Sequence, residues 1–148
     1  MTNNNSNQTT ETMDRRKRII AQAEKTKRCA EGTAFFSDEA ASYADEAASY
    51  AGLAEGFAAR AAEYAEDAAR FADKAVTLAD EAVTLADQGA VEEAAELADR
   101  AEHSADRGAR CAKGAASLAG GAMELADKAV RFTTEAARCT NTAAQTTD

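Results

Sequence analysis

The 148-residue sequence contains no proline and no tryptophan, a single histidine and only three cysteines. Without proline, no residue forces a helix to end. The sequence shows no Ser/His/Asp constellation around its single histidine, no glycine-rich phosphate loop and no nucleophile elbow. Three cysteines are an odd number and too few for a disulfide framework. We therefore expect a protein that is not an enzyme, with no cofactor and no metal.

Long apolar runs are also absent. No stretch approaches the roughly 20 consecutive apolar residues that span a bilayer. The segment from Met1 to Gln8 is rich in Asn, Ser and Thr and lacks the apolar core of a signal peptide. These features predict a cytoplasmic protein.

The large side chains that are present recur every seven residues, in two registers. Alanine occupies nearly every position one or four places after each of them. A seven-residue apolar repeat is typical of helices packed along a seam, so we predict an all-α fold, an alanine-rich heptad coiled coil. The predicted helix-packing interface comprises Phe36, Tyr43, Tyr50, Phe57, Tyr64, Phe71, Leu78 and Leu85, followed by Leu97, Cys111, Leu118, Leu125, Phe132 and Cys139.

One irregularity separates the two registers. Leu85 and Leu97 are twelve residues apart, and at about 100° per residue this turns the seam by roughly 120°. Gly89 stands where a glycine commonly ends a helix. We therefore predict two helices, ending near Gln88 and beginning near Ala90, that fold into a long antiparallel hairpin. Residue i then faces a residue numbered about 175 minus i.

The predicted organisation has four parts. Residues 1–10 form a disordered polar tail, residues 11–31 a basic helical segment, residues 32–143 the hairpin with its turn near 88–90, and residues 144–148 a second disordered tail. The basic segment either continues the long helix backwards or forms a short third helix.

Several glycines lie inside the helical phase. Gly52 and Gly56 in the first register, and Gly120 and Gly121 in the second, interrupt stretches of alanine. A hinge at either pair would divide a helix. Because the heptad phase runs unbroken across both pairs, we expect continuous helices.

Charge is unevenly distributed. Seven basic residues oppose four acids up to Glu31, a net charge of +3, whereas eighteen acids oppose four basic residues from Asp38 to Asp106, a net charge of -14. The remainder carries +2, and the total is -9. The predicted partner contact is the basic run Arg15, Arg16, Lys17 and Arg18, which either stays solvated or meets the acidic middle of another copy. Nucleic acid is not the expected partner.

The residues capable of metal or acid–base chemistry are sparse. Cys29, Cys111 and Cys139 occupy the large position of the heptad, where we interpret them as small core residues. His103 has no second histidine or cysteine near it in register, so we expect a solvated surface side chain.

The apolar face is wider than one partner helix can cover. Writing the large position as d, positions a, b and e are usually alanine or valine as well. We therefore expect the hairpin to dimerise into a four-helix bundle and to act as a self-associating scaffold or spacer. In composition the chain also resembles the alanine-rich helical phasins, which implies a coat on polymer granules or lipid surfaces. A third hypothesis is an acidic decoy that binds a basic protein surface.

Overall fold

The computed structural model describes the backbone of residues 4–146 and the side chains of residues 10–146. Two helices account for 98% of this part of the chain, and it contains no strand. Helix α1 runs from Asn4 to Asp87 and helix α2 from Val91 to Thr146. The two helices pack against each other, which confirms the all-α prediction.

The turn between the helices is closed by a glycine in the left-handed conformation. Gly89 has a φ of 83° and is the only described residue with a positive φ. Its amide donates to the Ala86 carbonyl at 3.0 Å, and the Ala90 amide donates to the Leu85 carbonyl at 2.9 Å. This pair of bonds is the Schellman motif, in which glycine avoids the cost that a Cβ incurs at positive φ.

Helix α2 then begins without a side-chain cap. Ala90 precedes it and accepts the first helical bond, from the Ala94 amide at 3.0 Å, but alanine has no side-chain acceptor for the remaining amides. Glu92 and Glu93 lie in the first turn, where their negative charges interact favourably with the positive end of the helix dipole.

The helices are longer than the sequence indicates. Residues 4–10 are helical in the structure, although we predicted a disordered tail there, and residues 144–146 belong to α2. Asn, Ser and Thr have modest helix propensity, but extending an existing helix adds a hydrogen bond for each residue fixed. The predicted disorder of residues 1–3 and 147–148 lies outside the described residues.

Both helices are continuous across the positions where we considered breaks. Helix α1 passes through residues 11–31 without interruption, so this segment is a backward extension and not a separate third helix. Helix α1 also continues through Gly52 and Gly56, and α2 continues through Gly120 and Gly121.

The chain divides into two compact units, which we call the terminal unit (Met1–Ala47 with Val130–Asp148) and the turn unit (Ala48–Ala129). In the turn unit, the ring of Phe57 faces Gly121 and the ring of Tyr64 faces Gly114. In the terminal unit, Tyr43 stacks on Phe132 with ring centroids 6.0 Å apart. Within each unit the two helices therefore run in opposite directions.

The seam between the helices is narrow. In the turn unit, the less exposed residues of α1 occupy positions a and d of the heptad, apart from Asp67 at position g, and Tyr64 is the one d residue that is exposed. No described side chain is fully buried, and most of the core consists of alanines such as Ala54 and Ala82. Since an alanine methyl contributes little on burial, the seam gains most of its contact from close approach of the two backbones. The α1 positions concerned are Tyr50, Ala54, Phe57, Ala61, Ala68, Phe71, Ala75, Leu78, Ala82 and Leu85.

Candidate functional site

The predicted packing residues of the turn unit lie along the seam. Leu78 is buried, with 8% of its surface exposed, and most of the others are half-buried. Tyr64 is the exception because 41% of its surface is exposed. The half-buried residues are Tyr50, Phe57, Phe71, Leu85, Leu97, Cys111, Leu118 and Leu125.

The aromatic rings of α1 lean toward one side of α2. A Cβ added at Gly121 would lie 3.1 Å from Cδ1 of Phe57, and one added at Gly114 would lie 3.3 Å from Cδ1 of Tyr64. Both glycines occupy position g of the heptad, three places after a large residue. The glycines thus make room for the rings. The sequence alone did not indicate this, because it requires knowing which residue of α1 each glycine faces.

Two cations continue the same row of contacts. The guanidinium carbon of Arg107 lies 4.4 Å from the centroid of the Phe71 ring, and Nζ of Lys128 lies 5.6 Å from that of Tyr50. Such cation–π contacts contribute about 0.5–1 kcal/mol at exposed sites. Each aromatic ring of the turn unit therefore faces either a glycine or a long cationic side chain at position g of α2.

The terminal unit has its own polar contacts across the seam. The hydroxyl groups of Thr33 and Thr146 lie 2.9 Å apart, and Sγ of Cys139 lies 3.9 Å from Oε2 of Glu39. Phe36 and Phe132 are half-buried, and the Phe36 ring also meets Phe35 edge-on at 5.3 Å. The helices are therefore in contact up to the last described turn of α2.

The seam has two unlike sides. In a heptad helix, positions b and e lie on one side of the a/d stripe and positions c and g on the other. When two helices pair in opposite directions, the b/e side of one lies beside the b/e side of its neighbour. In the turn unit, 21 of the 23 residues at b and e are Ala, Val or Met, whereas Leu53 is the only large apolar residue at c and g.

We call the b/e side of the turn unit the apolar flank. Every one of its residues is exposed, and the largest of them are 62–71% exposed. Glu55 and Glu102 are its only two charged members. The flank comprises Ala48, Ala51, Ala58, Ala62, Ala65, Ala69, Ala72, Val76, Ala79, Val83 and Ala86 on α1, and Val91, Ala95, Ala98, Ala105, Ala109, Ala112, Ala116, Ala119, Met123 and Ala126 on α2.

The ion pairs of the described residues do not join the two helices. The ion pairs of the described residues, Lys27–Glu31, Arg70–Asp67 and Arg138–Glu135, each lie within a single helix. A side-chain hydrogen bond and the charge of Glu135 raise the pKa of Arg138 further above its ordinary value. Exposed pairs of this kind contribute little to stability. Packing along the seam and the cation–π contacts, and not ion pairs, join α1 to α2.

The cysteines and the histidine lie apart from one another. Cys139 is buried, Cys29 and Cys111 are half-buried, and all three are free thiols. His103 is exposed beside Ser104 and Arg107. Among the described side chains, no group of three or more His, Cys, Asp or Glu is placed to hold a metal ion.

The predicted partner contact, Arg15 to Arg18, lies on α1 in the terminal unit, and all four side chains are exposed. No helix in the described part of the chain is long and apolar enough to cross a membrane.

Comparison of the chain with protein-family models, curated proteins and solved structures finds no match.

Proposed function

We propose that the protein is a non-enzymatic scaffold or spacer whose function is self-association: the two helices form an alanine-rich coiled-coil hairpin, and two hairpins pack into a four-helix bundle. The apolar flank is the observation that carries this proposal. One pair of helices covers positions a and d, and positions b and e remain exposed to water on both helices.

The composition of the flank favours another helix as its occupant. Alanines at intervals of three and four let two backbones approach closely, as small residues do at other helix contacts. The valines and Met123 add larger groups that fill the remaining space. A C₂ dimer uses one and the same surface of both copies, and that surface includes the flank.

Charge substitution on the flank tests the proposal. In the double variant Ala65→Glu/Ala105→Glu, one carboxylate stands at an e position of each helix. Glu keeps high helix propensity, but each dimer interface then holds four buried carboxylates, at a cost of about 1 kcal/mol or more for each. We expect the dissociation constant from sedimentation velocity to rise by about 100-fold or more.

The matched control adds the same charge on the opposite side. Ala59 and Ser117 are exposed at positions f and c, so Ala59→Glu/Ser117→Glu should leave the dissociation constant within about threefold of the unmodified chain. Equal weakening by the two variants would contradict a role for the flank.

A granule or lipid coat remains the alternative function, because Val76, Val83 and Met123 are exposed on the flank and would face an apolar surface equally well. Flotation of the chain with liposomes distinguishes the two functions. We expect the chain to stay in the dense fraction, since a face dominated by alanine binds lipid weakly.

A further inference from the structure

The first part of α1 extends past the end of α2. Thr146, the last residue of α2, is hydrogen bonded to Thr33, so residues 4–32 of α1, which we call the overhang, lie beyond the paired region of the terminal unit. Side chains 13–28 are all exposed. No described segment of the chain packs beside them.

The overhang is not simply a solvated polar helix. Met13, Ile19 and Ile20 are 60%, 62% and 48% exposed. They occupy positions b, a and b of the heptad, and Ala23 occupies position e. Met13, Ile20 and Ala23 therefore share the b/e side of the overhang, the heptad positions that form the apolar flank in the turn unit. An isolated helix is only marginally stable in water, so a partner on this side would stabilise the overhang.

The positive charge of the overhang favours an acidic partner segment. The chain up to Glu31 carries seven basic residues and four acids, a net charge of +3. The segment from Asp73 to Glu102, which we call the turn end, carries nine acids and only Lys74 and Arg100 as basic residues, a net charge of -7. All nine acids are exposed. The two segments are complementary in charge.

The turn end also offers the larger apolar groups of the flank. Val76, Val83 and Val91 are 62%, 62% and 69% exposed, while the rest of the flank in this segment is alanine apart from Glu102. Valines that protrude among alanines leave gaps that isoleucine and methionine side chains fill.

We propose that the overhang of one copy docks on the turn end of a second copy. Met13, Ile19 and Ile20 pack against the exposed valines, and the run from Arg15 to Arg18 faces the surrounding carboxylates. This docking rests on the self-association proposed above and specifies which segments meet. An anionic membrane or a nucleic acid would attract the same basic run, but neither explains the exposed valines beside the acids of the turn end.

Cross-linking between isotopically distinct full-length chains tests the contact directly. A carbodiimide joins a lysine to a carboxylate with no spacer, so it reports only pairs in contact. In an equal mixture of ¹⁴N and ¹⁵N chains, we expect mixed-label cross-links from Lys17, Lys25 or Lys27 to acids of the turn end. A dimer in solution without such cross-links would overturn the docking and leave the proposed function standing, whereas a monomer would overturn both.

A charge-reversal variant measures the contribution of the basic run. We expect the dissociation constant of R15E/R16E/K17E/R18E to rise by about tenfold or more at physiological salt. The control variant reverses four exposed cations outside both segments. Its dissociation constant should stay within about threefold of that of the unmodified chain. Equal weakening by both variants would mean general repulsion and would overturn the proposal. The control variant is R60E/R110E/K113E/R131E.

A complementary variant provides the rescue. Mixing R15E/R16E/K17E/R18E with a chain whose turn end is made basic should restore association to a level that neither variant reaches alone. Failure of the rescue would overturn the docking. The docking is also overturned if the basic-run variant dimerises like the unmodified chain but loses binding to phosphatidylserine vesicles or to duplex DNA. The basic turn-end variant is D73K/D80K/E81K/E96K.

Discussion

Gly120 and Gly121 are neighbours in α2, yet alanine should have opposite consequences at the two positions. A Cβ at Gly120 meets nothing within 4 Å, whereas a Cβ at Gly121 lies 3.1 Å and 3.2 Å from two carbons of the Phe57 ring. Both residues are inside the helix, so alanine gains about 1 kcal/mol of helix propensity at either one. Only an alanine at position 121 requires the Phe57 ring to move.

The size of the difference follows from these distances. Contacts near 3.1 Å require the ring to shift by a few tenths of an ångström, and overpacking of this kind costs about 1–3 kcal/mol. Gly120→Ala should therefore stabilise the protein by about 1 kcal/mol. Gly121→Ala should be neutral or destabilising by up to about 2 kcal/mol, since its steric cost offsets the propensity gain.

Urea unfolding followed by circular dichroism at 222 nm measures both changes, at one fixed protein concentration because association contributes to stability. A third variant identifies the cause: in a Phe57→Leu background, Gly121→Ala should recover most of the gain seen at Gly120. Equal stabilisation by Gly120→Ala and Gly121→Ala in the unmodified chain would refute the packing of Phe57 on Gly121.

Three further predictions concern the turn and the two sides of the seam. Gly89→Ala should destabilise the protein by about 1–2 kcal/mol in urea unfolding, because φ at this position is 83°; an unchanged midpoint would exclude the left-handed turn. Arg107→Ala should lower stability by about 0.5–1 kcal/mol through loss of the contact with Phe71, while Arg110→Ala, at an exposed position, changes it by less than about 0.5 kcal/mol. Leu78→Ala should lower the free energy of unfolding by about 2–3 kcal/mol because it leaves a cavity in the seam. Val76→Ala should instead mainly weaken self-association, measured by sedimentation. The reverse result would contradict the assignment of Leu78 to the seam and Val76 to the flank.

The heptad spacing and the lone Gly89 were sufficient to predict two long helices and their junction. The spacing predicts paired helices because a seven-residue repeat keeps one stripe of a helix on the seam. Gly89 predicts the turn because glycine adopts the left-handed conformation most easily. Opposed residue numbers add to between 175, as for Tyr43 with Phe132, and 179, as for Thr33 with Thr146, which is within a few positions of the predicted 175. The sequence does not reveal how many residues the turn takes from each helix, so the offset required the structure.

Two features of the candidate site were beyond sequence reasoning. The broad apolar face at a, b, d and e was predicted as a single surface, but the structure covers a and d and exposes b and e. That division depends on which face of each helix the partner helix occupies. The overhang was predicted only in part: residues 11–31 were left as either a continuation of the long helix or a third helix, and residues 4–10 were predicted to be disordered because Asn and Thr have modest helix propensity. Only the contact of Thr33 with Thr146 locates the end of the paired region.

The mass of the chain in solution, measured by sedimentation equilibrium together with helix content by circular dichroism, tests the central claim most directly. At micromolar concentrations we expect twice the 15.5 kDa chain mass, with mass and helicity falling together on dilution, because the exposed flank needs a second copy. A fully helical species of 15.5 kDa across the same range would contradict self-association as the function of this protein.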